Sequence, residues 1–133
     1  MDVYIKQIRS VLELAVPAWH GRITLIEQQD IERVQRSAAH IILGDDYGSY
    51  KEALIALDLE SLQSRRTYLC LKFALKAENH DKFKKWFKIT SKPDTKQVKT
   101  KYTEVAAKHT RLKKSPISLL TKMLNEHYAI ESK

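Results

Sequence analysis

Apolar residues recur along this chain mainly at helical spacing. Tyr4, Ile8, Val11, Leu12 and Ala15 predict a first helix from about Asp2 to Ala15. Pro17 is expected to stop it, since proline removes a backbone donor and crowds the preceding turn. Pro17 to Ile23, with Trp19 and Gly21, then reads as a short connection. Thr24-Leu-Ile-Glu27 is a capping box, in which hydroxyl and carboxylate each satisfy a backbone N–H that a helix start leaves without a partner. Ile31, Val34, Ala38, Ile41 and Ile42 predict the apolar face of that helix, and Gly44 its left-handed end.

Ser49-Tyr-Lys-Glu52 is a second capping box and opens a short helix through Leu57. Ser61 starts a fourth helix with Leu62, Leu69, Phe73, Ala74 and Ala77 toward the core, fading near Asn79. Phe83, Trp86 and Phe87 suit a short helical turn docked through its aromatics. Ser91 to Thr103 is weakly periodic and reads as loop. Ser115-Pro116 is a standard helix start, with Ser as cap and Pro in the first turn. Ile117, Leu120, Met123, Leu124 and Tyr128 form a last apolar stripe that must pack on something. The pattern predicts an all-α bundle or array of about five to six helices, with a basic, partly irregular segment before the last. Its expected divisions are a helical domain over 1–81, a basic segment over 82–114 and a terminal helix over 115–133.

Length and composition fit that reading. A chain of 133 residues with 43% hydrophobic and 30% charged residues is ordinary globular material, large enough for one core. With three glycines and three prolines, long helices are plausible and a many-turned β fold is not. No apolar run approaches the roughly 18 residues of a membrane span. The first residues lack the pattern of a secretory signal. A nuclear or cytoplasmic location, without secretion or a membrane partner, is expected; Cys70 as the only cysteine fits a reducing compartment.

The net charge of +8 is not spread evenly. Residues 1–81 carry 10 Lys/Arg against 12 Asp/Glu, whereas residues 82–114 carry 12 Lys/Arg against only Asp94 and Glu104. A block this local is more often a surface with a purpose than a uniform solubilising coat.

No catalytic constellation accompanies it. Gly44-Asp45-Asp46 invites comparison with the paired aspartates that hold two metal ions in polymerases. Those sit on a β-hairpin in a palm sheet, while here they follow a capped, periodic helix, so a helix end with an Asp-rich turn is expected. His20, His40, His80, His109 and His127 lack paired metal-ligand spacing, and no zinc site or other metal is expected. Cys70 lies near an apolar helix face and reads as a small buried hydrophobe. Arg65 and Arg66 read as local ion-pair residues within sequence reach of Glu60 and Glu78. No Gly-rich phosphate loop or nucleophile elbow is present, and no cofactor is expected.

The basic segment is the candidate site. Lys82, Lys84, Lys85, Lys88, Lys92, Lys96, Lys99, Lys101, Lys108, Arg111, Lys113 and Lys114 form the array that a phosphate backbone rewards by counterion release. Phe83, Trp86, Phe87 and Tyr102 lie among them, as stacking platforms for unpaired bases would, with Trp86 chosen as the site aromatic. The alternative is a helical protein-interaction module whose aromatics are core and whose lysines are merely solvated. That alternative gains if the Ile117–Tyr128 stripe has no surface of its own chain to cover.

Several blocks together resemble a known family. Tyr4-Ile-Lys-Gln-Ile-Arg-Ser-Val-Leu-Glu-Leu-Ala-Val-Pro-Ala-Trp-His20 looks like the segment that follows the palm in reverse transcriptases of non-LTR (LINE-type, jockey-like) retrotransposons. Asp30-Ile-Glu-Arg-Val-Gln-Arg-Ser-Ala-Ala-His-Ile-Ile-Leu-Gly44 is similar to a helix of the same family. Tyr47 to Leu54, Leu57 to Leu62, Arg65-Arg66, Cys70 to Ala74, Phe83 to Phe87 and Arg111 to Ile117 follow in the expected order. The resemblance spans nearly the whole chain and includes no catalytic signature. It implies the thumb and downstream part of an RNA-directed DNA polymerase, with the palm and its aspartates encoded upstream. By that resemblance the chain is not itself an enzyme, and it holds template RNA or an RNA–DNA hybrid near the upstream polymerase palm. Some relatives carry a terminal Cys/His knuckle absent from this sequence, so a zinc-dependent grip is not implied.

Overall fold

Two capping boxes start helices where the residue pattern places them. The computed structural model describes residues 1–90, 100–104 and 110–131. Over these the chain is a small all-α array, built from α1 (Ser10–Leu12), α2 (Val16–Trp19), α3 (Leu25–Leu43), α4 (Tyr50–Ala56), α5 (Leu62–Glu78), α6 (Thr110–Lys113) and α7 (Pro116–Glu131). At the start of α3 the Thr24 hydroxyl accepts from the Glu27 amide, and the Glu27 carboxylate accepts from the Thr24 amide. Ser49 and Glu52 make the same reciprocal pair at α4. Gly44 ends α3 with φ at +54°, a conformation that costs a residue without Cβ little.

The contacts divide the chain into two units, Met1–Val16 with Ile23–Tyr68, and Pro17–Arg22 with Leu69–Lys133. The division falls inside α5, not at Asp81, where the charge changes. The basic turn after α5 and the terminal helix belong to one unit together with Leu69–Glu78.

In the first unit, α1 is preceded by a π-helical stretch, Tyr4–Arg9. Its wider i→i+5 turn changes which residues face inward. Tyr4 is buried and Arg9 and Glu13 are half-buried, whereas the expected inward residues Ile8, Val11 and Ala15 are exposed. Pro17 does not stop a helix. The turn at Glu13–Ala15 does that, with Ala15 at φ +52°, and Pro17 sits in the first turn of α2, where a missing N–H costs nothing.

The buried face of α3 is also rotated from the expected stripe. Gln35 and Ala39 are buried, while Val34 and Ile41 are exposed, Ile41 at 81%. The reason is polar. Gln35 accepts from the Tyr4 hydroxyl at 2.6 Å and donates to the Tyr50 hydroxyl at 3.0 Å and the Glu60 carbonyl at 2.8 Å. Glu32, one turn earlier, accepts from the Tyr50 hydroxyl at 2.5 Å and from the Leu62 and Gln63 amides at 3.1 and 3.2 Å. Its carboxylate thereby caps α5 from another helix, where negative charge also suits the helix dipole.

Along α5 the fully buried residues are Leu62, Arg66, Cys70, Ala74 and Ala77, with Leu69 and Phe73 half-buried. Cys70 is a core residue, as its sequence context suggests. Arg65 pairs chiefly with Glu13, which also faces Arg9 at 3.5 Å, and Glu60 adds a weaker attraction through space.

In the second unit, the Ser115 hydroxyl accepts from the Ser118 amide at the start of α7. Leu120 and Leu124 are 0% exposed, so the terminal stripe is covered by its own chain. Gly21 packs against it: a Cβ there would lie 3.3 Å from Leu119 Cδ2 and 3.4 Å from the Lys114 carbonyl oxygen.

Candidate nucleic-acid interface

The lysines after α5 are carried by a short turn whose underside is aromatic. Lys84–Trp86 form one 3-10 turn. The Phe83 ring lies beneath it, 4.8 Å from Trp86, 5.0 Å from His80 and 6.2 Å from Phe73 by ring centroids. The backbone closes the turn, with the Lys84 amide donating to the His80 carbonyl at 2.8 Å and Trp86 to Phe83 at 2.8 Å. Ring packing of this kind adds to the burial that fixes the turn.

On that base the cations differ. Lys82, Lys85 and Lys88 are exposed and make no ion pair with a described residue. Lys84 is exposed but reaches Asp81 at 2.7 Å. Trp86 is half-buried against Phe83. Lys113 and Lys114 are exposed at the junction of α6 and α7. Lys92, Lys96, Lys99 and Lys108, the Arg111 side chain, and His109 lie outside the described residues.

Two of the aromatics proposed to stack on bases are core instead. Phe87 is 5% exposed and Tyr102 is 6%, with their rings 5.7 Å apart. Their burial follows from a β-type pairing the loop reading of 91–103 did not contain. Ile89 and Tyr102 form an antiparallel bridge, the Thr103 amide donates to the Lys88 carbonyl at 2.8 Å, and the Thr90 amide to the Lys101 carbonyl at 3.2 Å. Alternation along an extended chain then turns the Tyr102 backbone to the other edge. There the Asn125 side chain takes the place of a further strand, accepting from the Tyr102 amide and donating to its carbonyl, both at 2.9 Å.

Lys101 is likewise committed within the chain. Its ammonium sits 3.6 Å from the centre of the Tyr128 ring and 3.7 Å from the Glu78 carboxylate. Burial opposes its charge, but Tyr128, Tyr102 and Glu78 outweigh that and hold its pKa above the ordinary lysine value. Glu78 itself accepts from the Tyr102 hydroxyl at 2.7 Å and from the Tyr128 hydroxyl at 2.5 Å. Burial first, then the carboxylate beside it, pushes the Tyr102 phenol above its usual range.

Asn125 is not among the residues the sequence singles out, and Glu78 enters there only as a residue within reach of Arg65 and Arg66. The available signal was a polar residue within an apolar stripe: Asn125 beside Leu124 and Glu78 beside Ala77. Asp45 and Asp46 are exposed on the 3-10 turn Gly44–Asp46 that follows α3. Among the described residues, no group of three or more His, Cys, Asp or Glu is placed to hold a metal ion. No described helix is long and apolar enough to cross a membrane.

Comparison with protein-family models, curated proteins and solved structures finds no match. The site therefore rests on its own geometry: an aromatic-backed turn presenting three lysines that make no ion pair with a described residue.

Proposed function

We propose that this chain is a non-catalytic helical module that holds RNA or an RNA–DNA hybrid through the lysines of the turn after α5. In this reading it is the thumb and downstream part of an RNA-directed DNA polymerase of a non-LTR mobile element, working beside an upstream palm in the nucleus or cytoplasm. The observation that carries the reading is the exposure of Lys82, Lys85 and Lys88 over a base of packed, half-buried aromatic rings. Ordering long side chains on a nucleic acid has an entropic cost, and a fixed backbone beneath them reduces what must be ordered. Phosphate contact is the main interaction expected, because Phe87 and Tyr102 face inward and Phe83 and Trp86 are half-buried against each other.

The reading without catalysis is supported by the position of Asp45 and Asp46 on a helix-end turn. Labelled RNA and RNA–DNA hybrid titrated with the chain over a salt series test the binding, and primer extension on the same material tests the absence of catalysis. Binding that weakens steeply with salt, without nucleotide incorporation, is the expected result.

A second reading, a protein-interaction module, draws on the first unit. Val3, Val11 and Leu14 are 65%, 68% and 72% exposed along the N-terminal helix and the turn that ends it, whereas Arg9 and Glu13 are half-buried. The covered stripe of α7 no longer argues for it.

A further inference from the structure

The lysine turn does not stand alone, and what braces it lies on the helix before it and on the terminal helix. Lys88 accepts through its carbonyl from the Thr103 amide of the segment 100–104. Tyr102 supplies the anchor. Asn125 bonds its backbone on the edge opposite the bridge, and Glu78 bonds its hydroxyl. Asn125 is 5% exposed, and both polar groups of its side chain are used on one residue. A buried amide used in this way serves the backbone edge, since without it the Tyr102 N–H and C=O would be left buried without bonds.

We propose that Asn125, with Glu78, is a positioning residue for nucleic-acid contact: by holding Tyr102 it fixes the strand that fixes Lys88 at the end of the lysine turn. This rests on the reading of the turn given above. Asn125 touches no nucleic acid in this scheme. It acts through Tyr102, Thr103 and Lys88 in that order. Release of Tyr102 loosens the ladder, Lys88 no longer keeps a fixed place beside Lys82 and Lys85, and one phosphate contact is lost from the set.

Asn125→Asp is the discriminating variant. It keeps the shape and the acceptor for the Tyr102 amide, but sets a carboxylate oxygen against the Tyr102 carbonyl. Amide exchange at Thr103 and single-stranded RNA binding between about 50 and 200 mM salt are measured on the full chain. Exchange at Thr103 is expected to accelerate, and the slope of log affinity against log salt to fall in magnitude by about 0.7, one phosphate's worth. Glu78→Gln, a milder change that keeps an acceptor for a tyrosine hydroxyl, is expected to move both quantities the same way by less. It decides the matter should Asn125→Asp not fold. A merely structural role lowers the folded fraction and leaves the slope alone. Accelerated exchange with an unchanged slope, or unchanged exchange, overturns the proposal while the reading of the turn stands. An unsubstituted chain that binds no RNA at 50 mM salt overturns that reading, and the proposal with it.

Discussion

The Tyr4 hydroxyl donates to Gln35 Oε1 at 2.6 Å, joining two helices that are 31 residues apart in sequence. Gln35 then passes the connection to Tyr50 and to the carbonyl of Glu60, so one fully buried amide ties together four parts of the first unit. A buried polar network of this kind specifies one arrangement, because each group left without its partner is costly in a medium poorer than water.

Gln35→Leu is therefore expected to destabilise the first unit by about 2–4 kcal/mol, despite adding an apolar side chain. Urea denaturation followed by circular dichroism measures it. A change below about 0.5 kcal/mol would mean that the network contributes nothing net.

Burial pushes the Tyr4 phenol up to about 12 from 10.0, with Arg9 opposing the shift and Glu32 and Glu13 adding to it. A folded pKa raised above the unfolded value favours the protonated phenol in the folded state. Its contribution is present below pH 10 and is lost as the pH rises from about 10 to about 12. Ultraviolet titration of phenolate should show late tyrosine ionisation together with loss of helix, and Tyr4→Phe should reduce that component by one phenol, leaving Tyr50 and Tyr102, which burial also raises.

The two capping boxes should act as separate, similar supports. Thr24→Ala and Ser49→Ala are each expected to cost about 1 kcal/mol. Bonds from the Ser49 hydroxyl and amide hold the Glu52 carboxyl below its ordinary value. That contribution is present above the ordinary carboxylate pKa and is lost as the pH falls through the lowered one. The gap between the melting curves of Ser49→Ala and the unsubstituted chain should narrow in acid without closing, because the bond from the Glu52 amide to the Ser49 hydroxyl does not titrate.

How much of this was legible depends on what local sequence encodes. Capping is local, and Thr24-Glu27, Ser49-Glu52 and Ser115-Pro116 all start helices as their residue types require. Inward faces are set by tertiary partners. Gln35 and Arg66 are buried where helical periodicity favours neighbouring aliphatics, because Gln35 meets Tyr4, Tyr50 and Glu60 from three other segments. The π-helical Tyr4–Arg9 changed the period itself. The lysine turn was visible as charge, but not its brace. Tyr102 reads as one more aromatic in a basic run until Asn125 and Glu78 arrive from α7 and α5 to bury it.

The most direct measurement of the central claim is the salt dependence of RNA affinity for the chain and for a Lys82→Gln, Lys85→Gln, Lys88→Gln variant, by fluorescence anisotropy. With about five phosphates neutralised, the unsubstituted chain should show a log–log slope near −4, and the variant, left with about two, a slope of about −1.5. Equal slopes for the two proteins, or no binding at 50 mM salt by the unsubstituted chain, would contradict the assignment of nucleic-acid contact to this turn.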